Sequence, residues 1–383
     1  MREATRPRRP GAPPHPAATR RRTPAGRRTL APRRALTAAA ASLALTAALA
    51  ACGDDSGQAG AGGGSGSALT VPTASVSAAQ GAFQYTVKKG FFAENGLRVT
   101  TPLSAEGQLK AAFVAGSVKF DQLAGGDVLD LYAKHVKIST IACVAKNNGY
   151  YVYAPKGTSS LADLKGKTVG VPSLGGAPQV AMQAYLKSKG LAADSVKFVA
   201  LGSIPNVLTA LTSGKVDGGL LSTPFNFRAD KAGLKGLGYA QGPPSPFVVD
   251  TDWAKKNRGT VTKILKSLAK GAWSYQTHKE DGVKTLGAFL HLDPAKPADK
   301  ETLGKSFDAY LPPVQAPPGR CDTSYFAPYT EYQPAAQQAA LKDLKPLVDN
   351  SWVDALDRQH FYQKLQKTYG PLPKDTTLAQ VLR

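Results

Sequence analysis

The chain has 383 residues, of which 42% are hydrophobic and 20% charged, and its formal net charge is +21. This length suffices for two domains with separate cores. After residue 52 the lysines are spread out, without a block of five like charges, a basic helix or a basic-aromatic motif, which argues against a nucleic-acid-binding protein.

The N-terminal segment has the residue order of a bacterial lipoprotein signal. Residues 1–34 contain eleven arginines, residues 35–51 are mainly apolar and rich in Ala, and the run Leu49-Ala50-Ala51-Cys52 follows. The apolar stretch is short and weak for a membrane span, which needs about 20 apolar residues, and it ends in small residues as signal segments do. We predict that residues 1–51 are a signal peptide and that Cys52 carries a lipid that anchors the protein outside the cytoplasmic membrane. A transmembrane anchor, twin-arginine export and a downstream translation start remain alternatives.

Residues 52–67 are rich in Gly, Ser and Ala and are predicted to be a flexible tether. Short apolar strands and amphipathic helices then alternate up to residue 221. The predicted strands are 68–76, 97–101, 118–123, 138–144, 150–154, 168–171, 196–200 and 218–221. The predicted helices are 81–94, 108–115, 128–134, a short turn at 161–164, 180–189 and 206–213. This alternation predicts an α/β fold with mostly parallel sheets.

The pattern becomes helical from about residue 253. Apolar residues from Val261 to Trp273 recur at helical spacing and predict one buried helix face. Residues 311–332 are rich in Pro and aromatic residues and are predicted to form an ordered loop. Two C-terminal helices are predicted at 335–348 and 353–369.

Without residues 1–51, which hold eleven Arg and one Glu, the net charge falls from +21 to +11.

The remaining cysteines and histidines bear on redox state and metal binding. In an oxidising compartment, Cys143 and Cys321 form either a disulfide or two separate buried thiols. The disulfide is favoured because Cys321 lies in a Pro/Gly-rich loop. The histidines after residue 52 are far apart and show no metal-ligand spacing, so we expect no metal and no cofactor.

Motifs for catalysis are missing from the sequence. Gly166-Lys167-Thr168 resembles the end of a phosphate-binding loop, but that motif requires a glycine where Leu161 stands. There is no zinc-binding His-Glu-x-x-His run, and no local motif places a Ser, a His and an Asp together. The sequence therefore predicts a binding protein rather than an enzyme.

Small and polar residues recur where predicted strands run into helices. In open α/β sheets, ligands bind outside the carboxyl ends of the strands, where helix N-termini present unpaired N–H groups. The candidate ligand-binding residues are Ser75, Gln80, Glu106, Gly107, Gly126, Asp127, Ser173, Gly175, Gly176, Ser203, Ile204, Thr223 and Phe225. The loop at 173–176 is the strongest candidate because its glycines allow a close backbone approach. Each residue also suits an ordinary cap or turn, and Phe225 and Tyr85 suit either an aromatic wall or the core.

Four segments carry a family resemblance. They are VKKGFFAENGLRV (87–99), AAFVAGSVKFDQLAGGDVL (111–129), SLADLKGKTVGVPSLGGAPQVAMQAYLKSKGL (160–191) and LTALTSGKVDGGLLSTPF (208–225). In order and spacing they resemble solute-binding proteins of ABC importers of the nitrate/sulfonate/taurine/thiamine-pyrimidine type. The resemblance implies a two-lobed, periplasmic-binding-protein-like (type II) fold with discontinuous domains. The first lobe would be 68–154 plus 246–383, the second 155–245, with the ligand cleft between them.

The resemblance also implies a function. The protein would trap a small organic anion or heterocycle by hinge closure and deliver it to the ABC permease. With the lipid predicted on Cys52, we expect a membrane-anchored monomer. Aliphatic sulfonates, taurine and nitrate are the implied ligand types. A thiamine-precursor pyrimidine, a pyrimidine-biosynthesis enzyme on the same fold and a ligand-sensing lipoprotein are the alternatives. The predicted ligand loops contain no Arg, and Arg98 and Arg228 are the nearest candidates.

Overall fold

The computed structural model describes residues 67–73, 76–144, 148–310, 316–373 and 381, and only the backbone of Glu106 and Asn148. The predicted signal peptide, Cys52 and nearly all of the predicted tether lie outside the described residues, which belong to one compact unit.

The described residues form strands and helices as follows. The strands are β1 Ser67–Thr70, β2 Leu97–Thr100, β3 Phe120–Gln122, β4 Ile138–Ala142, β5 Asn148–Ala154, β6 Thr168–Val171, β7 Lys197–Ala200, β8 Gly218–Leu221, β9 Lys235–Gly242 and β10 Phe247–Asp250. The helices are α1 Gly81–Lys88, α2 Glu106–Val114, α3 Gly125–Ala133, α4 Ala177–Ser188, α5 Ile204–Thr212, α6 Phe225–Lys231, α7 Thr251–Lys256, α8 Arg258–Thr277, α9 Lys279–Leu290, α10 Pro297–Ala309, α11 Ser351–Arg358 and α12 Phe361–Tyr369.

Two of the sheets define two lobes. The larger sheet has five strands in the order β7-β6-β8-β5-β9, with β6 parallel to β7 and β8 and β5 antiparallel to β8 and β9. In the smaller sheet, β10 lies between β3 and β4 and is antiparallel to both. The expectation of mostly parallel sheets is therefore wrong: the smaller sheet is antiparallel, and only two of the four strand pairs of the larger sheet are parallel. In the smaller sheet the central strand arrives from a distant part of the chain rather than by a strand-helix-strand crossover. Strands β1 and β2 form a separate parallel pair.

The lobe boundary differs from the expected one. Strand β5 was expected in the first lobe, but it pairs with β8 and β9 and so belongs to the five-stranded sheet. We therefore assign residues 148–242 to the second lobe, and the described residues 67–73, 76–144, 243–310 and 316–373 to the first lobe.

Several predicted helices end at other residues. The first predicted helix, 81–94, ends at Lys88, because Gly90 has the left-handed φ of +76° that stops a helix. The predicted helix 335–348 is wrong: this segment has only short 3₁₀ turns. The predicted helix 353–369 is two helices, α11 and α12, separated at His360 with φ of +53°.

Each lobe has its own apolar core. The helix face predicted from Val261 to Trp273 is confirmed: Ile264, Leu265 and Trp273 are buried with Val353 of α11 in the first-lobe core. The second-lobe core packs strand residues of the five-stranded sheet, such as Val152 and Leu220, against α4. In the inner strand β8, Leu220 is buried in the cluster with α4 and Leu221 in the cluster with α5, because helices cover both faces of the sheet there.

Cys143 and Cys321 form a disulfide with their Cα atoms 5.2 Å apart. The backbone N–H of Cys143 donates to the Gly319 carbonyl at 3.0 Å, and the Gly319 N–H donates back at 2.8 Å. The bond therefore ties the end of β4 to the segment that follows α10.

Candidate ligand cleft

A cavity lies between the two lobes and has a volume of about 750 Å³ including its open mouth. From the first lobe it is lined by Ser77, Ala79, Gln80, Leu109, Gln122, Ala124, Asp127, Ser245 and Tyr310. From the second lobe it is lined by Tyr150, Pro172, Pro178, Gly202, Ser203, Ile204 and Ser222. Both lobes therefore contribute walls to this cavity.

The cavity lies where strands end and helices begin. Ala124, Pro172, Gly202 and Ser222 follow the carboxyl ends of β3, β6, β7 and β8, respectively. Helices α3, α4 and α5 begin in the same loops, and the first N–H groups of a helix have no partner within it. Because the helix dipole also favours negative charge at this end, the loops form a surface suited to oxyanions or polar oxygens.

Ser203 shows how local sequence builds one of these helix starts. Its side-chain oxygen accepts the N–H of Asn206 at 3.4 Å, which caps α5. The Asn206 side chain donates to the Leu201 carbonyl at 2.7 Å, which holds the loop after β7. The cap therefore positions Ser203 and Ile204 on the wall of the cavity.

Three hydroxyl groups, of Ser77, Ser222 and Tyr310, form what we call the hydroxyl cluster. The Ser77 and Ser222 oxygens are 3.2 Å apart, and the Ser77 hydroxyl donates to the Thr223 carbonyl at 3.3 Å. Burial raises the pKa of Tyr310 to about 12, although hydrogen bonds from the Thr223 backbone and from Ser77 act in the opposite direction. The cluster joins the lobes, as does the bond from the Ala78 N–H to the Thr223 carbonyl at 3.0 Å.

A second polar group, which we call the α3 network, consists of Asp127, Asp130, Lys110, Lys134 and Gln337. Lys110 Nζ lies 2.8 Å from Asp130 Oδ2 and 3.3 Å from Asp127 Oδ1. Asp130 also contacts Lys134 at 2.8 Å and accepts the Gln337 amide at 2.7 Å. Only Asp127 of this network lines the cavity.

The two carboxylates of the α3 network differ in their pKa. Burial raises the pKa of Asp127, and Lys110 offsets this only in part. Burial acts in the same direction on Asp130, but the hydrogen bonds from Lys110, Lys134 and Gln337 bring its pKa down to about 2. Asp127 is therefore the less compensated of the two.

The structure brings four of the predicted ligand-binding residues to the wall of the cavity: Gln80, Asp127, Ser203 and Ile204. Ser75 lies outside the described residues, as does the side chain of Glu106. Gly107 is exposed in α2, with open space around it, and Ser173 does not line the cavity.

The predicted glycines have another role in the structure. A Cβ atom on Gly126 would lie only 2.9 Å from the Gly175 carbonyl oxygen and 3.5 Å from the carbonyl carbon of Gly176. Gly126 is on the first lobe and the other two are on the second, so these glycines permit contact between the lobes. Gly175 also has φ of +74°, which glycine adopts without strain.

The two aromatic residues that could have lined the cleft, Phe225 and Tyr85, are buried in apolar cores instead. Phe225 is buried with Val207 and Leu221 in an apolar cluster of the second lobe, and Arg228 stacks on its ring at 5.1 Å. Tyr85 packs against Tyr275, with ring centroids 5.5 Å apart. Thr223 is also buried and contributes its carbonyl to the hydroxyl cluster.

Sequence reasoning missed Gln122, Tyr150, Ser245 and Tyr310, all of which line the cavity. Tyr150 lies at the start of a strand and Tyr310 follows a distant helix, so neither stands at a strand-to-helix junction. Ser77 and Ser222 are neighbours of chosen positions, and the junction pattern could have found them.

Residues 81–281 match the family model described as NMT1/THI5 like. This match covers more than half of the chain. The chain belongs to the NMT1/THI5-like family. The suspected family resemblance is thereby confirmed.

Other known proteins are similar to this chain in sequence or in fold. A Brucella abortus protein is 25% identical over 57% of this chain and 70% of its own length. Its name describes it as a binding protein and specifies no ligand. The alkanesulfonate-binding protein SsuA of Xanthomonas axonopodis pv. citri, solved with MOPS, is 15% identical with a TM-score of 0.58, over 84% of this chain and 99% of its own. The nitrate-binding protein NrtA of Synechocystis is 12% identical with a TM-score of 0.59, over 84% and 92%. The predicted α/β, periplasmic-binding-protein-like fold is confirmed.

Within the described ranges, no helix combines the length and the apolar character that crossing a membrane would require.

Proposed function

We propose that this protein is an extracytoplasmic solute-binding protein of an ABC import system. It captures a small organic anion or heterocycle between its lobes and delivers it to the permease. The observation that carries the proposal is the cavity between the lobes, where strand ends, helix N-termini and the hydroxyl cluster converge. The sulfonate-binding and nitrate-binding proteins of the same fold support this ligand class.

The donors of the cleft suit an acidic oxygen group. Ser77 and Ser222 provide hydroxyl groups from opposite lobes, and Ser203 stands at the N-terminus of α5. An oxyanion that binds these groups gains hydrogen bonds from both lobes at once. The ligand therefore favours the closed arrangement, because a ligand shifts a conformational equilibrium by its difference in affinity for the two states.

A thermal-shift screen tests this function. We expect one of the sulfonates, nitrate, pyrimidines or amino acids to raise the Tm, since a ligand at 100 times its Kd stabilises the folded state by about 2.7 kcal/mol. The double substitution Ser77→Ala and Ser222→Ala should weaken that ligand's binding at least tenfold. Ser213→Ala, at the far end of α5, is the matched control. A screen without any shift would contradict the proposal.

Aromatic lining supports a second candidate ligand. Tyr150 and Tyr310 line the cavity from opposite lobes, and aromatic faces suit a planar heterocycle such as a thiamine-precursor pyrimidine. In the same screen, a shift with pyrimidines and none with sulfonates or nitrate would favour this candidate.

We further propose that the protein is held at the membrane by a lipid on Cys52, which lies outside the described residues. Cys52→Ala should move the protein from the membrane fraction to the soluble fraction, and Ser56→Ala in the predicted tether should leave it in place. Retention of the Cys52→Ala protein on membranes would rule out this anchor.

A further inference from the structure

The charges of the cleft are unusual for a site that takes a simple anion. Among the lining residues that the structure describes there is no Lys or Arg, and Asp127 is the only carboxylate. A fixed negative charge in a cavity repels an anion at close range. A ligand that fills this cavity must therefore present something other than an acidic group to Asp127.

Asp127 is held in place and buried. It stands in the first turn of α3, and only 7% of its side chain is exposed. Among the described residues, its only ion-pair contact is Lys110 at 3.3 Å, and the same lysine lies closer, at 2.8 Å, to Asp130. A buried carboxylate that shares its cation with a better-placed neighbour is poorly compensated, since buried charges are stable only when paired and hydrogen-bonded.

Asp130 provides the contrast within the same helix. It contacts Lys110 and Lys134 and accepts an amide hydrogen bond from Gln337, so its charge is fully paired. On the first-lobe side of the cleft, Asp127 is thus a carboxylate with weaker pairing than Asp130. The hydroxyl cluster and the helix N-termini present donors.

We propose that Asp127 selects ligands with a cationic amino group, so that the cleft takes a small zwitterion rather than a simple anion. The ammonium group of the ligand donates to Asp127 and completes its pairing. The acidic group of the ligand accepts from the hydroxyl cluster or from the helix N-termini. This inference rests on the proposed function and specifies its ligand class.

Matched ligand pairs that differ in one group test the proposal. The pairs are taurine with isethionate and β-alanine with 3-hydroxypropionate, in which the ammonium is replaced by a hydroxyl. Isothermal titration should show that the wild-type protein binds the amino member of at least one pair tenfold or more tightly, as expected for a hydrogen bond to a charged group. Equal affinity within each pair that binds would overturn the proposal.

Two variants locate the preference. Asp127→Asn keeps the size of the side chain and removes its charge. It should reduce the amino preference to threefold or less, by weakening binding of the amino member and by strengthening that of isethionate, which the carboxylate no longer repels. Asp130→Asn, on the same helix and in the same network but not on the cavity wall, should keep most of the preference. An unchanged preference in Asp127→Asn, or equal losses in the two variants, would also overturn the proposal.

The outcomes separate this inference from the proposed function. Binding without an amino preference overturns the role of Asp127 and leaves the solute-binding function standing. If no amino or hydroxyl probe binds, and the sulfonates, nitrate, pyrimidines and amino acids of the thermal-shift screen also fail, the solute-binding function itself is contradicted and the inference falls with it.

Discussion

The two lobes reach the cleft in different ways. The second lobe is a nearly continuous stretch, 148–242, and it contributes mainly turns and helix starts such as Pro172, Pro178 and the Gly202–Ile204 loop. The first lobe is assembled from distant segments, and it contributes longer polar side chains such as Gln80, Gln122 and Asp127. From this difference we expect the second lobe to hold ligands mainly through backbone groups, and the first lobe to distinguish between ligands through its side chains.

The largest expected effect concerns the disulfide that stabilises the first lobe. The Cys143–Cys321 disulfide links residues 178 positions apart, and loss of such a bond typically lowers the free energy of unfolding by about 2–5 kcal/mol. The double variant Cys143→Ala and Cys321→Ala should show this loss in denaturant unfolding, while Cys52→Ala should not. An unchanged midpoint in the double variant, or two alkylatable thiols in the wild-type protein, would contradict the bond.

A smaller effect is expected where the lobes touch. In Gly126→Ala the new methyl group would approach the Gly175 carbonyl oxygen at 2.9 Å, and such overpacking costs about 1–3 kcal/mol. If the ligand holds the lobes together in this arrangement, the strain should cost more free energy of ligand binding than free energy of unfolding of the ligand-free protein. Titration calorimetry and thermal unfolding measure the two quantities.

The matched control for this variant is Gly107→Ala, also at a helix start of the first lobe. A Cβ atom there meets nothing within 4 Å, so this change should leave affinity unaltered and stabilise α2 slightly. Equal affinity losses in the two variants would show that Gly107 belongs to the site, as the sequence predicted.

In the second lobe, the Ser203 side chain that caps the N-terminus of α5 can be tested. Ser203→Ala removes the cap of α5, and loss of an N-cap side chain lowers the free energy of unfolding by about 1 kcal/mol. Ser213→Ala at the other end of α5 should change stability less. If ligand affinity falls tenfold while the unfolding free energy of Ser203→Ala is unchanged, the serine would be a ligand contact rather than a cap.

The smallest effect, and one that depends on pH, concerns Asp121 on β3. Burial raises its pKa well above the ordinary value of 3.8, and its Oδ2 has no hydrogen-bond partner among the described residues. Above about pH 3.8 the unfolded chain releases this proton while the folded protein retains it, so Asp121 destabilises the fold increasingly as the pH rises towards its folded pKa. Asp121→Asn should therefore gain stability relative to wild type between pH 4 and pH 7.

A carboxylate of the second lobe gives the opposite sign. The backbone N–H groups of Ser159 and Ser160 lower the pKa of Asp163, so its stabilising contribution is present above the ordinary Asp pKa and is lost as the pH falls through the lowered value. Asp163→Asn should lose stability at pH 7 and little at pH 2. Urea unfolding across this range measures both variants, and parallel pH profiles would contradict the assignment.

The second lobe was the easier of the two to predict. Strands β6 and β8 have the predicted bounds, because an apolar run between turn residues is a local signal. The predicted helix 335–348 failed because its Leu341, Leu344 and Leu347 are buried in a first-lobe apolar cluster by short turns, not by one helix. Strand β10 was missed because its pairing with β3 and β4 joins residues about a hundred positions apart.

The residues of the candidate site also fall into two groups, those that local sequence patterns predict and those that only long-range packing brings to the cleft. Gln80, Asp127, Ser203 and Ile204 were found because each stands at a strand-to-helix junction, where chain order alone indicates the edge of a sheet. Tyr310 was not found, because only the packing of α10 brings it to the cleft. Phe225 was misjudged because burial in a core and exposure to a ligand look the same in a sequence.

The sequence by itself determined the α/β class, the family and the strand-to-helix junctions that surround the cleft, since these depend on local patterns and on motif order. The tertiary structure decided which junction residues face the cavity, how the lobes meet at Gly126 and Gly175, and why Asp127 is less well paired than Asp130. Those features depend on distances between segments that are remote in the chain, and pairing of a buried charge is set by its neighbours in space.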